Sequence, residues 1–261
     1  MNKKEILELE KMLPSTIKDR PKYYNGFLYG EFGVGKTIVA ASCVQNKGLL
    51  VATDSGTNSL FNHPELLDKV DVVPYNSLSH LTAIGRAITE GIAPYDQYDT
   101  IIIDTISQVQ EEYLDWVLEN FQFSGNYREK ATPRAGKIGL SAEEITGLPD
   151  YHLARNKMRL PIKTLIKAPV DVWFLAHVRE PSFTDVAKGK LVRRPTLTET
   201  VFKLIAREAS LLGLMEREGK KRTIQFMTDK KTVSKSQIKE LDDKIINADD
   251  LSEILHKWKV K

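Results

Sequence analysis

Residues 30–37 read GEFGVGKT, and they stand between two apolar segments. NGFLY, residues 25–29, comes before them, and TIVAASCV, residues 37–44, continues from them. The pattern GxxxxGK[ST] is filled by Gly30, Gly35, Lys36 and Thr37. Glycines let the backbone curl until its N–H groups converge. A helix that starts there adds the positive end of its dipole. Such a loop cradles phosphates, with Gly30, Glu31, Phe32, Gly33, Val34, Gly35, Lys36 and Thr37 as its wall. Lys36 would reach the β- and γ-phosphates, and Thr37 would offer its hydroxyl to Mg2+. The motif is a specific one, because a strand reads before it and a helix after it. ATP and Mg2+ are the ligands it predicts.

Outward from the loop, apolar runs alternate with helical spacing. Residues 48–53 (GLLVAT), 70–74, 98–104 (YDTIIID) and 170–176 (VDVWFLA) read as buried strands. Helices are expected over about 36–45, 78–90, 107–121, 150–167 and 199–209. Residues 210–216 and 222–227 read as a hairpin turning at 218–221. This alternation predicts an α/β fold with a three-layer, mostly parallel sheet and an antiparallel hairpin at one edge. Ile6, Leu7, Leu9, Met12 and Leu13 space like a short amphipathic helix over 4–13, which could cover its own domain or a neighbouring subunit. The chain then divides into an N-terminal helix and linker (1–21), a core (22–232) and a charged tail (233–261) whose ADDLSEILHKW has helical spacing.

Ligand sites in parallel sheets form at the carboxyl ends of strands. Asp104 closes the strongest apolar run and fits the second metal-binding carboxylate beside Thr37. Asp99 competes, but it begins the same strand. Asp54 follows GLLVAT and could activate water, or simply make an Asx-turn with Ser55 and Gly56. His177 follows VDVWFLA and could sense the γ-phosphate, or be a solvated strand-end histidine.

Composition narrows the class. The 261 residues are 41% hydrophobic and 28% charged, with a net charge of +3. That suits one domain with a sizeable core, and the charge alone does not imply nucleic acid. One cysteine, Cys43, excludes an internal disulfide and reads as a small core residue. The five histidines are scattered, without zinc-site spacing. No apolar run has the length of a membrane span, and the N-terminus is no secretory signal, so a cytoplasmic protein is expected, in the host cytoplasm if viral.

With these elements in order, residues 22–232 resemble the RecA-like ATPases, and in particular a phage group of nucleotide-binding and single-strand-annealing proteins. Thr105, not Glu, follows Asp104, which is unlike many AAA+ proteins. Asp54 matches the position where RecA-like proteins carry their catalytic acid, although these usually have Glu. His177 matches their sensor position. The segment RPTLTETVFKLIAREASLLGLMERE, 194–218, looks like the end of that group's core. The resemblance implies a catalytic set of Asp54, Lys36 and His177, with metal at Thr37 and Asp104. It also implies single-stranded DNA bound through two loops. Arg128, Lys130, Arg134 and Lys137 lie in the first, with Phe123 and Tyr127; Lys188, Lys190, Arg193 and Arg194 lie in the second, with Arg179 and Phe183. Cations of such loops neutralise phosphates and aromatics stack on bases. It further implies basic residues of one subunit near the γ-phosphate of the next, for which Lys230 and Lys231, just past the hairpin, are candidates, although charges on an exposed turn need no such role. Self-assembly into a ring or filament and a single-strand-binding protein are the further partners implied, and no membrane is.

Three functions follow from these readings. The first is a DNA-dependent ATPase of recombination or annealing. The second is an ATP-clamped annealing module with little hydrolysis. The third is a small-molecule kinase, whose Arg-rich lid either loop could imitate.

Overall fold

The computed structural model describes residues 22–120, 148–181, 192–229 and 232–260. Its centre is a ten-stranded sheet with the order β10-β8-β7-β1-β5-β4-β2-β3. Six of these strands run parallel: β1 (Asn25–Gly30), β2 (Gly48–Ala52), β3 (Val70–Pro74), β4 (Thr100–Asp104), β5 (Asp171–Arg179) and β7 (Leu211–Glu218). β8 (Lys221–Gln225) turns back antiparallel on β7, and β10 (Ile245–Asn247) is antiparallel to β8. Two short strands pair off this path, β6 (Arg194–Pro195) on β5 and β9 (Lys235–Ser236) on β7.

The central strands β1, β2, β4 and β5 are buried on both faces, so they read as continuous apolar runs. Their side chains still alternate. Phe27, Tyr29, Leu49, Val51, Ile101, Ile103, Val172 and Phe174 face one core, while Leu28, Leu50, Ile102, Trp173 and Leu175 face the other. The first face carries α3 (Leu78–Glu90), α4 (Ile106–Asn120), α5 (Leu148–Lys167) and α6 (Glu199–Glu208). The second carries α1 (Lys36–Ser42), α2 (Pro64–Leu67) and α7 (Leu251–Val260). This is the three-layer, mostly parallel α/β architecture that the alternation predicts, with added antiparallel strands. One detail differs: β7, the first arm of the hairpin, joins the parallel sheet beside β1, and the antiparallel part begins only at β8.

Residues 232–260, charged along the sequence, return to the sheet. Ile238, Leu241, Ala248, Leu251 and Leu255 are buried in the second core. Ser252 donates to the carbonyl of Ser42 at the end of α1 (2.7 Å). Lys259 pairs with Asp171, a carboxylate with 1% exposure at the start of β5. In its helix Leu251 and Leu255 are buried while Glu253, His256 and Lys257 are exposed, so its charged composition conceals its packing.

The register places the functional edge. Gly30 of β1 is level with His177 of β5, and Asp104 of β4 is level with Ala52 of β2. The phosphate loop, Asp104, His177 and the segment after β2 therefore lie at the same edge of the sheet. The expected helix over 4–13 lies outside the described residues.

Candidate nucleotide site

Gly33 and Gly35 have φ angles of 70° and 97°, in the left-handed region where a side chain is strained. They turn the chain from β1 into α1. Gly30 has a different reason: a Cβ there would come within 2.3 Å of the Met215 carbonyl oxygen of β7. The first turn of α1 has neither an acidic residue nor a side-chain cap, so its N–H groups suit an anion.

Lys36 is buried, and its ammonium donates to the carbonyls of Gly30 (3.0 Å) and Glu31 (2.9 Å). Burial lowers its pKa, while the carboxylates of Asp104, Glu31 and Asp54 work to raise it. The Thr37 hydroxyl donates to Oδ2 of Asp104 at 2.6 Å. Asp104 is itself buried, which raises its pKa; the Thr37 hydrogen bond lowers it, the charge of Asp54 raises it and Lys36 lowers it. Thr53 braces the carboxylate's backbone. Its hydroxyl donates to the Asp104 carbonyl (3.0 Å) and accepts from the Thr105 N–H (2.9 Å), across a cis Asp104–Thr105 peptide. A hydroxyl and a buried carboxylate in contact are hard oxygen donors, the type that Mg2+ takes. Asp99, the competitor, is excluded by place: it accepts from the backbone and side chain of Asn46, at the far end of β4.

These groups border a cleft of about 440 Å3, lined also by Phe32, Asp54, Ser59, Asn62, His63, His177 and Arg222. Asp54 is exposed, and its Oδ1 accepts from the Gly56 N–H at 2.7 Å. The Asx-turn and the cleft position are thus both real. His177 is not at a strand end, because β5 runs on to Arg179 and Thr196 closes over the His177 carbonyl (2.8 Å). Its ring stacks on Phe32 with centroids 3.8 Å apart, and its Nδ1 is buried without a hydrogen-bond partner among the described residues. Burial pushes its pKa down to about 4, the Lys36 charge adds to this, and Asp54 opposes it.

Sequence reading missed two contributors. Arg222 on β8 lies against the loop, so close that a Cβ on Gly35 would be 3.2 Å from its guanidinium. Opposite it in register, Arg217 reaches the Gly33 carbonyl at 3.5 Å. The signal was present in KKR, 220–222, at the turn of a hairpin. It becomes legible only once β7 is known to pair with β1. The 3-10 helix Ser55–Asn62, which brings Ser59 and Asn62, has no strong periodicity to announce it.

The proposed DNA contacts are only partly within view. Arg128, Lys130, Arg134, Lys137, Lys188 and Lys190 lie outside the described residues, as do the trans candidates Lys230 and Lys231. Arg193 is tied to Glu216 (2.6 Å), an ion pair that turns it toward β7. Arg194 is exposed and stands opposite Arg179 where β6 pairs with β5.

Comparison with known proteins gives a family. The AAA domain matches residues 22–238. The Asp104–Thr105 pair therefore does not keep the chain out of a family of that name, as Thr105 alone would suggest. Among solved structures, the RadB recombinase is similar at 13% identity, over 77% of this chain and 79% of that chain, with a TM-score of 0.42. No curated protein matches the sequence.

Proposed function

The chain belongs to the AAA domain family of P-loop ATPases, and from that premise we propose that it hydrolyses ATP with Mg2+ in an activity coupled to single-stranded DNA, in recombination or strand annealing. The observation that carries the ATPase part is the 2.6 Å contact between Thr37 and Asp104, beside a lysine held inside the loop. Lys36 and the N–H groups of the loop would bind the β- and γ-phosphates, and Thr37 and Asp104 would hold the cation. Bound there, Mg2+ would neutralise charge on the phosphates during transfer. Asp54 borders the same cleft and is the carboxylate placed to orient water. His177, neutral at pH 7, would meet the γ-phosphate as a hydrogen-bonding group and not as a cation.

The DNA part is supported by Arg179 and Arg194, which stand together past the cleft edge of β5. Phosphate release measured against rising single-stranded DNA, with sedimentation of the same samples, tests it. Turnover or assembly size should rise. If neither changes at saturating DNA, the coupling is wrong. A second reading, an annealing module clamped by ATP with little hydrolysis, is favoured by one observation: Asp54 has an oxygen engaged by Gly56. In that case Asp54→Asn leaves annealing intact.

A further inference from the structure

Away from the nucleotide cleft, α5 and α6 pack together and leave a groove of about 530 Å3 along their outer seam. Arg155, Arg159 and Lys163 line one wall, and Lys203 and Arg207 the other. Thr200, Val201 and Leu204 complete the lining, which contains no carboxylate. The groove shares no residue with the nucleotide cleft.

The spacing is regular. The α5 cations recur every four residues, and so do the two on α6. Four residues of helix rise about 6 Å, so each wall carries charges in a straight row at that interval. Like charges four apart repel and cost a helix about 0.2–0.5 kcal/mol per pair. On α6 the cost is offset, since Lys203 pairs with Glu199 (2.7 Å) and Arg207 with Glu208 (3.0 Å). On α5 it is not: Arg155, Arg159 and Lys163 have no ion pair among the described residues. A row of uncompensated cations is arranged for anions repeating at a similar interval.

We infer that the α5–α6 groove binds the sugar–phosphate backbone of single-stranded nucleic acid, with consecutive phosphates laid along the Arg155, Arg159 and Lys163 row. This deepens the proposed function and rests on it for the partner. The site is separate from the loops in which single-stranded DNA binding is otherwise expected. A single backbone suits a seam between two helices, whose axes pack about 8–10 Å apart. No aromatic ring lines the groove, so bases are not read there. Binding is therefore indifferent to sequence and steeply dependent on salt.

The test uses the full chain with Mg2+ and ATP, and a fluorescein-labelled oligothymidine followed by anisotropy across a salt series. The triple variant Arg155→Glu, Arg159→Glu, Lys163→Glu should weaken binding at least about tenfold. It should also flatten the slope of log K against log salt by about 2, since each phosphate contact on a single strand contributes about 0.7. The corresponding triple Ala variant should show the same flattening with a smaller loss, and DNA-free ATP turnover should stay at the wild-type level in both. An unchanged affinity and slope in both variants overturns the groove while leaving DNA-coupled turnover standing. Wild-type binding that depends on the groove and changes neither turnover nor assembly size supports the groove and overturns the coupling. A wild-type chain that binds no oligonucleotide overturns both. Displacement of the oligonucleotide by polyglutamate at equal charge overturns the nucleic-acid assignment in favour of an acidic protein.

Discussion

Burial lowers the pKa of both Lys36 and His177, which share one cleft, and it takes that of His177 down to about 4. Its pKa near 4 lies below the ordinary histidine value, so between about pH 6.5 and 4 the unfolded chain binds more protons than the folded one. Stability contributed by His177 is present above about pH 6.5 and is lost as the pH falls toward 4. A proton NMR titration of the imidazole should give a midpoint near 4, and Phe32→Ala, which uncovers the ring, should move it upward. A wild-type midpoint near 6.5 would contradict the packing. Arg222 makes a second residue-scale prediction. Its guanidinium lies against Gly35 and borders the cleft, so Arg222→Ala should raise the dissociation constant for Mg·ATP about tenfold, the scale of one charge-assisted hydrogen bond. Isothermal titration checks this, and an unchanged constant would remove Arg222 from the site. Lys36, Thr37 and Asp104 were legible in the sequence because one local motif and one strand end define them. Arg222 was not, because its place depends on a strand pairing that brings residue 215 level with residue 30.

Among the elements, the strands showed themselves best. Runs such as YDTIIID have no other use than burial on both faces of a sheet. The C-terminal helix α7 was legible as a helix but not as part of the core. Its hold on the sheet passes through Lys259 and the buried Asp171. Burial raises the Asp171 pKa, and the hydrogen bond and charge of Lys259 pull it back, with the Tyr24 N–H helping. Removing one partner of such a pair leaves a buried charge, at a cost of about 3 kcal/mol. Lys259→Ala should lower stability by roughly that amount at pH 7 in urea unfolding. The sign with pH follows: a carboxyl with a raised native pKa is tolerated while protonated, so the variant should lose stability as pH rises from the acid range through that pKa. Equal loss at every pH would mean that Lys259 acts by packing alone.

At the scale of the whole molecule, the fold gathers groups from opposite ends of the chain onto one sheet edge. Residues 30–37, Asp54, Asp104, His177 and Arg222 come from five segments and meet in one cleft. The order of elements along the sequence was enough to predict the layered sheet and the edge where ligands bind. It could not show that β7 lies beside β1, nor that the charged residues 232–260 complete the second core, because both depend on long-range pairing. Among the described residues no helix is long and apolar enough to cross a membrane. The central claim is that this cleft turns over ATP, and steady-state phosphate release from Mg·ATP by the full chain, beside Lys36→Ala, tests it most directly. Release should depend on Mg2+ and fall at least about a hundredfold in the variant, the effect of removing one preorganised electrostatic contact to the transferring group. Release at the same rate from both proteins, or none from either, would contradict it.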